Sequence, residues 1–441
     1  MFAVNRCQRR VVVTGMGIIS PIGNNKQAFW ESLVDGRSGI SRAKSLSGNG
    51  DLLPCVGEVA EFGDRIEDFG PLDRNVKKVI RKALKFMNRE TQMAVAAAQQ
   101  AVADSNLATA EFDPDRIGVC FGAGNVSLIP EDFSDGIRAC TNDQNEFDFG
   151  QWGVEGLPQV APLWLLTCLP NMPACHIAIY NDLRGPNNSV TQREAAANLA
   201  VGEAKSIIAD DEADAMLVGA TGTTIQAFNM LRTVMEQELA PGGPDPAKVC
   251  RPFDRRRTGS VLGEGAAALI LEELKSATRR GARIYGEIKA VSSSCVVDRS
   301  GLPHRETALA NAIRSVLRNA DQRPDMIGHI HAHGLSTLRS DIEESRAIRT
   351  VFGSRADRLP IVAAKSYVGN AGAGGGAIEL VASLLALEHG RLFPVLNCED
   401  PDPECPIAPV TSCDVEAGES FLNLSVTPQG QASCVLVGSI E

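Results

Sequence analysis

The chain has 441 residues, 44% of them hydrophobic, and a formal charge of -11 at pH 7. That length supports a large core, as two domains or one duplicated unit, and the negative balance argues against a general nucleic-acid binder. Its 12 cysteines lack Cys-x-x-Cys pairs, and Cys398, Cys405, Cys413 and Cys434 have no partner histidine pattern, so free thiols in a cytoplasmic protein and no metal site are expected. No apolar run of transmembrane length and no signal peptide is read, so stable membrane insertion is not expected.

In chain order, a strand is predicted near 11–14 and a helix near 26–35. Arg74, Lys77, Lys78, Arg81, Lys82 and Lys85 recur at helical spacing opposite Val76, Val79, Ile80, Ala83 and Leu84, which gives a basic face for an acidic partner or for solvent. A helix near 90–105 and a strand near 117–121 follow. Residues 123–185 are the least regular part, with acidic, aromatic Glu131-Asp132-Phe133 and Asn145-Glu146-Phe147-Asp148-Phe149 ahead of the short apolar run 161–166. Cys175 and His176 are adjacent, but neighbours on a helix point in different directions, so Cys175 reads as a buried structural thiol and His176 as a helix or interface residue.

Ser189-Val190-Thr191 is β-prone and leads into the Ala-rich helix 195–209, so Glu194 falls at a strand-to-helix turn, where helix N–H groups favour negative charge. Strands near 215–219, 266–272 and 284–291 bracket a helix and turn at 275–283. Arg251, Arg255, Arg256 and Arg257 form a cluster read as structural. Helices near 306–319, 341–352 and 376–389 then alternate with strands near 328–332, 360–364 and 432–438. The small-residue run 371–376 lacks the Lys-Ser/Thr ending of a phosphate loop and reads as close backbone packing. The similar apolar segments 213–220 and 432–439, one late in each half, suit strands buried on both faces and a duplicated α/β unit.

Ordered blocks carry a resemblance. Val11-Val12-Val13-Thr14-Gly15-Met16-Gly17-Ile18-Ile19-Ser20-Pro21-Ile22-Gly23, Asn171-Met172-Pro173, Arg251-Pro252-Phe253-Asp254, Gly263-Glu264-Gly265-Ala266, Ala332-His333-Gly334 and Ala364-Lys365-Ser366 stand as in elongating β-ketoacyl-acyl-carrier-protein synthases. The chain resembles that family from about residue 10 to 441. The resemblance implies a thiolase-like five-layer α-β-α-β-α fold of two duplicated halves, 1–275 with the acyl-pocket and dimer insertion and 276–441. It also implies no bound cofactor, substrates delivered on the phosphopantetheine of an acyl carrier protein, and a homodimer or a heterodimer with a cysteine-containing ketosynthase.

In that family a cysteine, two histidines and a lysine carry the chemistry. Their positions fall here on Glu194, His333, Asn370 and Lys365. Glu344 and Glu379 match carboxylates that hold the lysine. Thr337 matches a pantetheine-contacting threonine, while its companion position is Leu335. Residues 423–431 replace the glycine-rich oxyanion and gating segment, and Pro428 brings no backbone donor. A thiol at such a turn is activated as thiolate, whereas an acylated carboxylate is a mixed anhydride and a poor carrier. These changes together predict a non-condensing partner subunit resembling chain-length factors. An acyl-thioester decarboxylase, hydrolase or acyltransferase with Glu194 as general base stays open, as does a structural or regulatory homodimer without ligand.

Overall fold

The structure, a computed structural model, describes residues 9–43, 55–63, 65–107, 112–126 and 128–440. Ten strands carry the architecture: β1 Val11–Ile19, β2 Ile117–Gly122, β3 Asn187–Val190, β4 Ala215–Thr223, β5 Leu262–Glu273, β6 Gly286–Cys295, β7 His329–His331, β8 Pro360–Val362, β9 Ser420–Val426 and β10 Gln431–Gly438. β1 runs antiparallel to β5, β5 antiparallel to β4, β4 parallel to β2, and β2 parallel to β3. β6 runs antiparallel to β10, β10 antiparallel to β9, β9 parallel to β7, and β7 parallel to β8. Both sets therefore read first, fifth, fourth, second, third in chain order with the same directions, and the duplication is visible in the topology. The sets touch through Val12 opposite Glu287 and Val13 opposite Gly286.

Six helices matter for the site: α1 Arg89–Ser105, α2 Ala196–Ala209, α3 Ala227–Glu236, α4 Arg305–Asn319, α5 Leu338–Phe352 and α6 Gly375–His389. Strand alternation sorts their packing. In β5, Ala266, Ala268 and Ile270 share a cluster with Met93, Ala97 and Ala101 of α1, while Ala267, Leu269 and Leu271 share another with Ala200 and Ala204 of α2 and Val381 and Leu385 of α6. In the second sheet Phe421, Val435 and Val437 join the α2–α6 cluster, and Leu422, Leu424 and Leu436 pack with Ile313 of α4 and Ile348 of α5. The result is helix, sheet, helix pair, sheet, helix. α6 sits in the middle and is buried all round: Ile378, Leu380, Val381, Leu384 and Leu385 are covered, and so are its polar residues Glu379 and Ser383.

β1 extends five residues past the predicted end, through Gly15 and Gly17. Those glycines look like strand breakers but are contacts: a Cβ on Gly17 would lie 2.0 Å from the Ala97 carbonyl oxygen. A register shift between Val13 and Gly15 swaps the strand's parity, so Val11 and Val13 share the middle layer with Met16 and Ile18.

Two expectations need correction, and one helix is additional to them. In the segment 423–431 matched to the gating segment, residues 423–426 form the end of β9, paired with β10; only the turn at 427–430 is irregular, and Gly430 adopts φ +90° there. α3 was not foreseen. On the basic helix Arg74–Ala83, Val79 is 47% exposed, because the packed stripe runs through Val76, Ile80 and Ala83. Within the irregular region, residues 149–181 form short helices and helical turns with Phe149, Val154, Leu163 and Ile179 exposed. No helix among the described residues is long and apolar enough to cross a membrane.

Candidate active site

β3 ends at Val190, and the chain turns through Thr191, Gln192 and Arg193 before α2 begins. Arg193 has φ +50°, a left-handed conformation that strains a residue with a side chain. This turn presents Glu194 to the interior, where it is 3% exposed. Its Oε1 accepts from Asn370 Nδ2 and Gln237 Nε2, each at 3.4 Å. Those bonds are longer than the usual range for N–H···O. Oε2 lies 3.5 Å from Arg193 Nε but has no hydrogen-bond partner. The polar support of Glu194 thus comes from side chains, and not from the helix N–H groups that its position suggests.

Arg193 also binds outward. Its guanidinium pairs with Glu236 at the end of α3 and donates to Gln429 Oε1 at 3.3 Å in the β9–β10 turn. Arg232 Nε donates to Glu236 Oε1 at 3.2 Å. Burial opposes ionisation of Glu236, yet the two guanidiniums hold its carboxyl below the ordinary range.

His333 and Lys365 come from the second half. Lys365 follows β8 and pairs with Glu379 of α6, and its Nζ lies 3.2 Å from His333 Nδ1. Burial first, then the Lys365 and Arg305 charges, push the His333 pKa well below its ordinary value, so the ring is neutral. A lysine N–H donating to Nδ1 leaves the ring proton on Nε2, a donor for an oxygen that gains negative charge. Burial raises the Glu379 carboxyl, Lys365 opposes that, and the Glu194 charge adds to it.

Glu344 does not hold the lysine as expected. It accepts the backbone N–H groups of His333 and Gly334 at 2.6 and 2.8 Å, so it fixes the turn that carries the histidine. Burial nevertheless raises its carboxyl to about 7. Asn370 is anchored by the Gly372 N–H on its Oδ1 at 3.1 Å, which turns its amide N–H toward Glu194. Thr337 caps α5, accepting from Ser340 N at 3.2 Å. It also lines a cavity of about 190 Å³ with Glu236, Gln237, Arg305, Leu335 and Pro428. Gln237 touches both this cavity and Glu194, and so separates them.

The structure therefore brings Glu194, His333, Lys365, Asn370 and Glu379 together. Arg193, Glu236 and Gln237 escaped the sequence reading. Only the adjacency of Arg193 to Glu194 hinted at them. Cys175 is half-buried, not buried, and His176 Nδ1 is 2.6 Å from the Tyr180 hydroxyl, one helical turn away. Cys250 is the thiol beside the site, with Sγ 3.2 Å from the Lys365 carbonyl oxygen, and burial pushes its pKa up to about 12. It supplies no thiolate. The run at 371–376 packs closely: a Cβ on Gly376 would meet Ala197 Cβ and Ser425 Oγ at 3.1 Å. Among the described residues there is no cluster of side chains arranged to hold a metal ion.

Comparison with known proteins matches residues 8–277 to the beta-ketoacyl synthase N-terminal domain and residues 285–399 to the C-terminal domain. The 3-oxoacyl-[acyl-carrier-protein] synthase 2 of Synechocystis sp. is 33% identical over 399 residues, 90% of each chain. The ishigamide ketosynthase/chain length factor has a TM-score of 0.80 at 27% identity, covering 98% of this chain and 100% of that one. A ketosynthase bound to a hexaketide, in complex with its type II polyketide acyl-carrier protein, has a TM-score of 0.80 at 27% identity, with the same 98% and 100% coverage.

Proposed function

The chain belongs to the beta-ketoacyl synthase family, and from that premise we propose that it is a non-condensing, chain-length-factor-like partner subunit in fatty-acid or polyketide synthesis. The observation that carries this reading is Glu194 at the elbow between β3 and α2, buried and facing Asn370. Condensation needs a nucleophile that holds an acyl group and gives it up to a carbanion, and donors that meet oxyanions. Glu194 forms only an anhydride, its carboxylate takes up the Asn370 amide, and its charge repels an oxyanion in the same place. The neighbouring thiol of Cys250 is protonated and tied to a carbonyl. His333, Lys365, Glu379 and Glu344 persist as the frame of the site.

On this reading the partner is a cysteine-bearing ketosynthase, and the acyl carrier protein brings its phosphopantetheine to the pair. The exposed apolar residues of 149–179 offer a surface for the partner, and the basic helix Arg74–Ala83 one for the acidic carrier. The test is co-expression with an intact ketosynthase. A stable heterodimer that condenses is expected, and a lone homodimer with full condensing activity sinks the reading.

One observation favours a second reading. Glu194 Oε2 makes no hydrogen bond and lies only 3.5 Å from Arg193 Nε, so the carboxylate has an oxygen to offer as a general base for thioester decarboxylation, hydrolysis or transfer. Mass spectrometry of malonyl- and acyl-carrier proteins mixed with the purified chain decides it. Turnover that Glu194→Gln abolishes is its expected signature, and turnover unaffected by that change removes it.

A further inference from the structure

The cavity that holds Thr337 ends before it reaches the acid-base groups. Leu335, Val426 and Pro428 give it an apolar side, and Thr337, Thr427 and Gln237 a hydrogen-bonding one. A mixed lining of this kind suits a flexible arm that carries amides and hydroxyls. Glu194, His333, Lys365 and Asn370 are absent from the lining, and all four are buried. Gln237 belongs to both places: it lines the cavity, its Nε2 donates to Glu194 Oε1 at 3.4 Å, and its Oε1 accepts from the Ser260 hydroxyl at 3.4 Å.

Side-chain bonds of that length hold weakly, but the backbone holds Gln237 firmly. Its N–H donates to the Thr233 carbonyl at 2.9 Å, and Glu236, the residue before it, pairs with Arg193. The segment after it lies hard against Ser260, whose N–H donates to the Glu238 carbonyl at 2.8 Å and whose carbonyl accepts the Ala240 N–H at 2.9 Å. Gly259 makes that approach possible, with φ +149° and room for no Cβ, which would stand 2.4 Å from the Leu239 carbonyl carbon. The backbone that carries the Gln237 carboxamide therefore cannot retreat without breaking this pairing.

We infer that Gln237 is the stop at the inner end of the Thr337 cavity: an acyl thioester on a pantetheine arm enters the cavity and halts short of Glu194 and His333. This goes deeper into the proposed function and rests on it for the carrier-borne substrate. Blocked access is a barrier to condensation separate from the missing nucleophile, and it leaves the partner's site to receive the acyl group.

The experiment gives the elbow a thiol and asks whether a pantetheine-borne electrophile finds it. The full chain with Glu194→Cys is treated with a pantetheine analogue whose thiol is replaced by a chloroacetamide. Alkylation forms the C–S bond as chloride leaves, and the thiol proton goes to solvent. Mass spectrometry of peptides reads the rate at position 194 against exposed Cys295 and buried Cys434 in the same sample. A buried thiol reacts only through local opening, so labelling much slower than at Cys295 is expected while Gln237 is present. Adding Gln237→Ala, which keeps the backbone pairing, should raise the rate at position 194 at least about tenfold, with Cys295 constant within about twofold and Cys434 unmodified. In that double variant the pantetheine reagent should outpace plain chloroacetamide, which lacks the arm that the cavity holds. A rate at position 194 that matches Cys295 before Gln237 is changed, a gain below about twofold afterwards, labelling of Cys434 alongside, or no advantage for the pantetheine reagent overturns the inference. The partner reading stands or falls on co-purification, so the two failures are distinguishable.

Discussion

Glu344 receives the His333 and Gly334 N–H groups at 2.6 and 2.8 Å, and Lys365 is paired directly with Glu379. On the opposite side of the same site, Glu194 receives Asn370 and Gln237 only at 3.4 Å, and its other oxygen makes no hydrogen bond and lies 3.5 Å from Arg193 Nε. The tight side extends further inward. His329 Nδ1 lies 2.7 Å from the Ala417 carbonyl oxygen, the Ser383 hydroxyl is 3.1 Å from His329 Nε2 and 2.8 Å from His331 Nδ1, and His331 Nε2 accepts the Ala364 N–H at 3.1 Å. A carbonyl only accepts, so His329 carries its proton on Nδ1, and the direction of every bond up to Ala364, the residue before Lys365, follows. The second half thus holds a short-bonded polar network with one consistent pattern, although Glu379 Oε2, like Glu194 Oε2, has no hydrogen-bond partner. The elbow holds a carboxylate whose contacts are all 3.4 Å or longer. Such a contrast in bond length is what a changed residue in a retained frame produces, because short, mutually oriented hydrogen bonds resist single substitutions.

Stability measurements can break this contrast. Glu379→Leu strands Lys365 in the core, and a loss of about 3–5 kcal/mol is expected in urea unfolding. A loss below about 1 kcal/mol would mean that the tight side is not tight. For Glu90, burial, with the Glu264 charge in support and the Thr223 N–H opposing, raises the carboxyl from 4.5 to about 7. A group whose folded value is raised contributes stability at low pH and loses it as pH rises through the folded value. The stability of Glu90→Gln relative to the parent should therefore grow by about 2–3 kcal/mol between pH 5 and 8, and a flat difference would show that Glu90 ionises freely.

For His329, burial lowers the pKa from 6.5 to about 4 despite the Ala417 carbonyl. Its neutral ring contributes stability above pH 6.5 that is lost as pH falls toward 4, at up to about 1.4 kcal/mol per unit. Compared with His329→Phe, the parent should lose about 2 kcal/mol between pH 6.5 and 5; a constant gap would contradict the neutral chain. The smallest effect belongs to Glu194→Gln, with a change within about 1 kcal/mol at pH 7, because its present hydrogen bonds are long. A loss comparable to that of Glu379→Leu would erase the distinction between the two sides.

Much of this was legible in the sequence. Buried strands and helices announced themselves by apolar runs and alternation, and Glu194, His333, Lys365 and Asn370 met where their motifs implied. β9 was missed because Asn423 and Ser425 look like loop residues, although Asn423 is a buried strand residue donating to Asn198 Oδ1 at 2.9 Å. Gly15 and Gly17 hid the second half of β1 because a glycine's packing role depends on which helix crosses it. Glu344 was misread since its partners are main-chain N–H groups, which leave no trace in residue types. Beyond its adjacency to Glu194, the role of Arg193 could not be read: its reach depends on a positive φ, and its partners Glu236 and Gln429 arrive only when three separate segments fold together.

That three-way grip of Arg193 has a dynamic consequence. The elbow, the end of α3 and the β9–β10 turn share one guanidinium, so none of them loosens without releasing the other two. They form one cooperative unit of local opening. Amide exchange at Gln237 and Gly430, far apart in the chain, should report the same opening free energy, and Arg193→Lys, with a single point of contact in place of a fork, should lower both together.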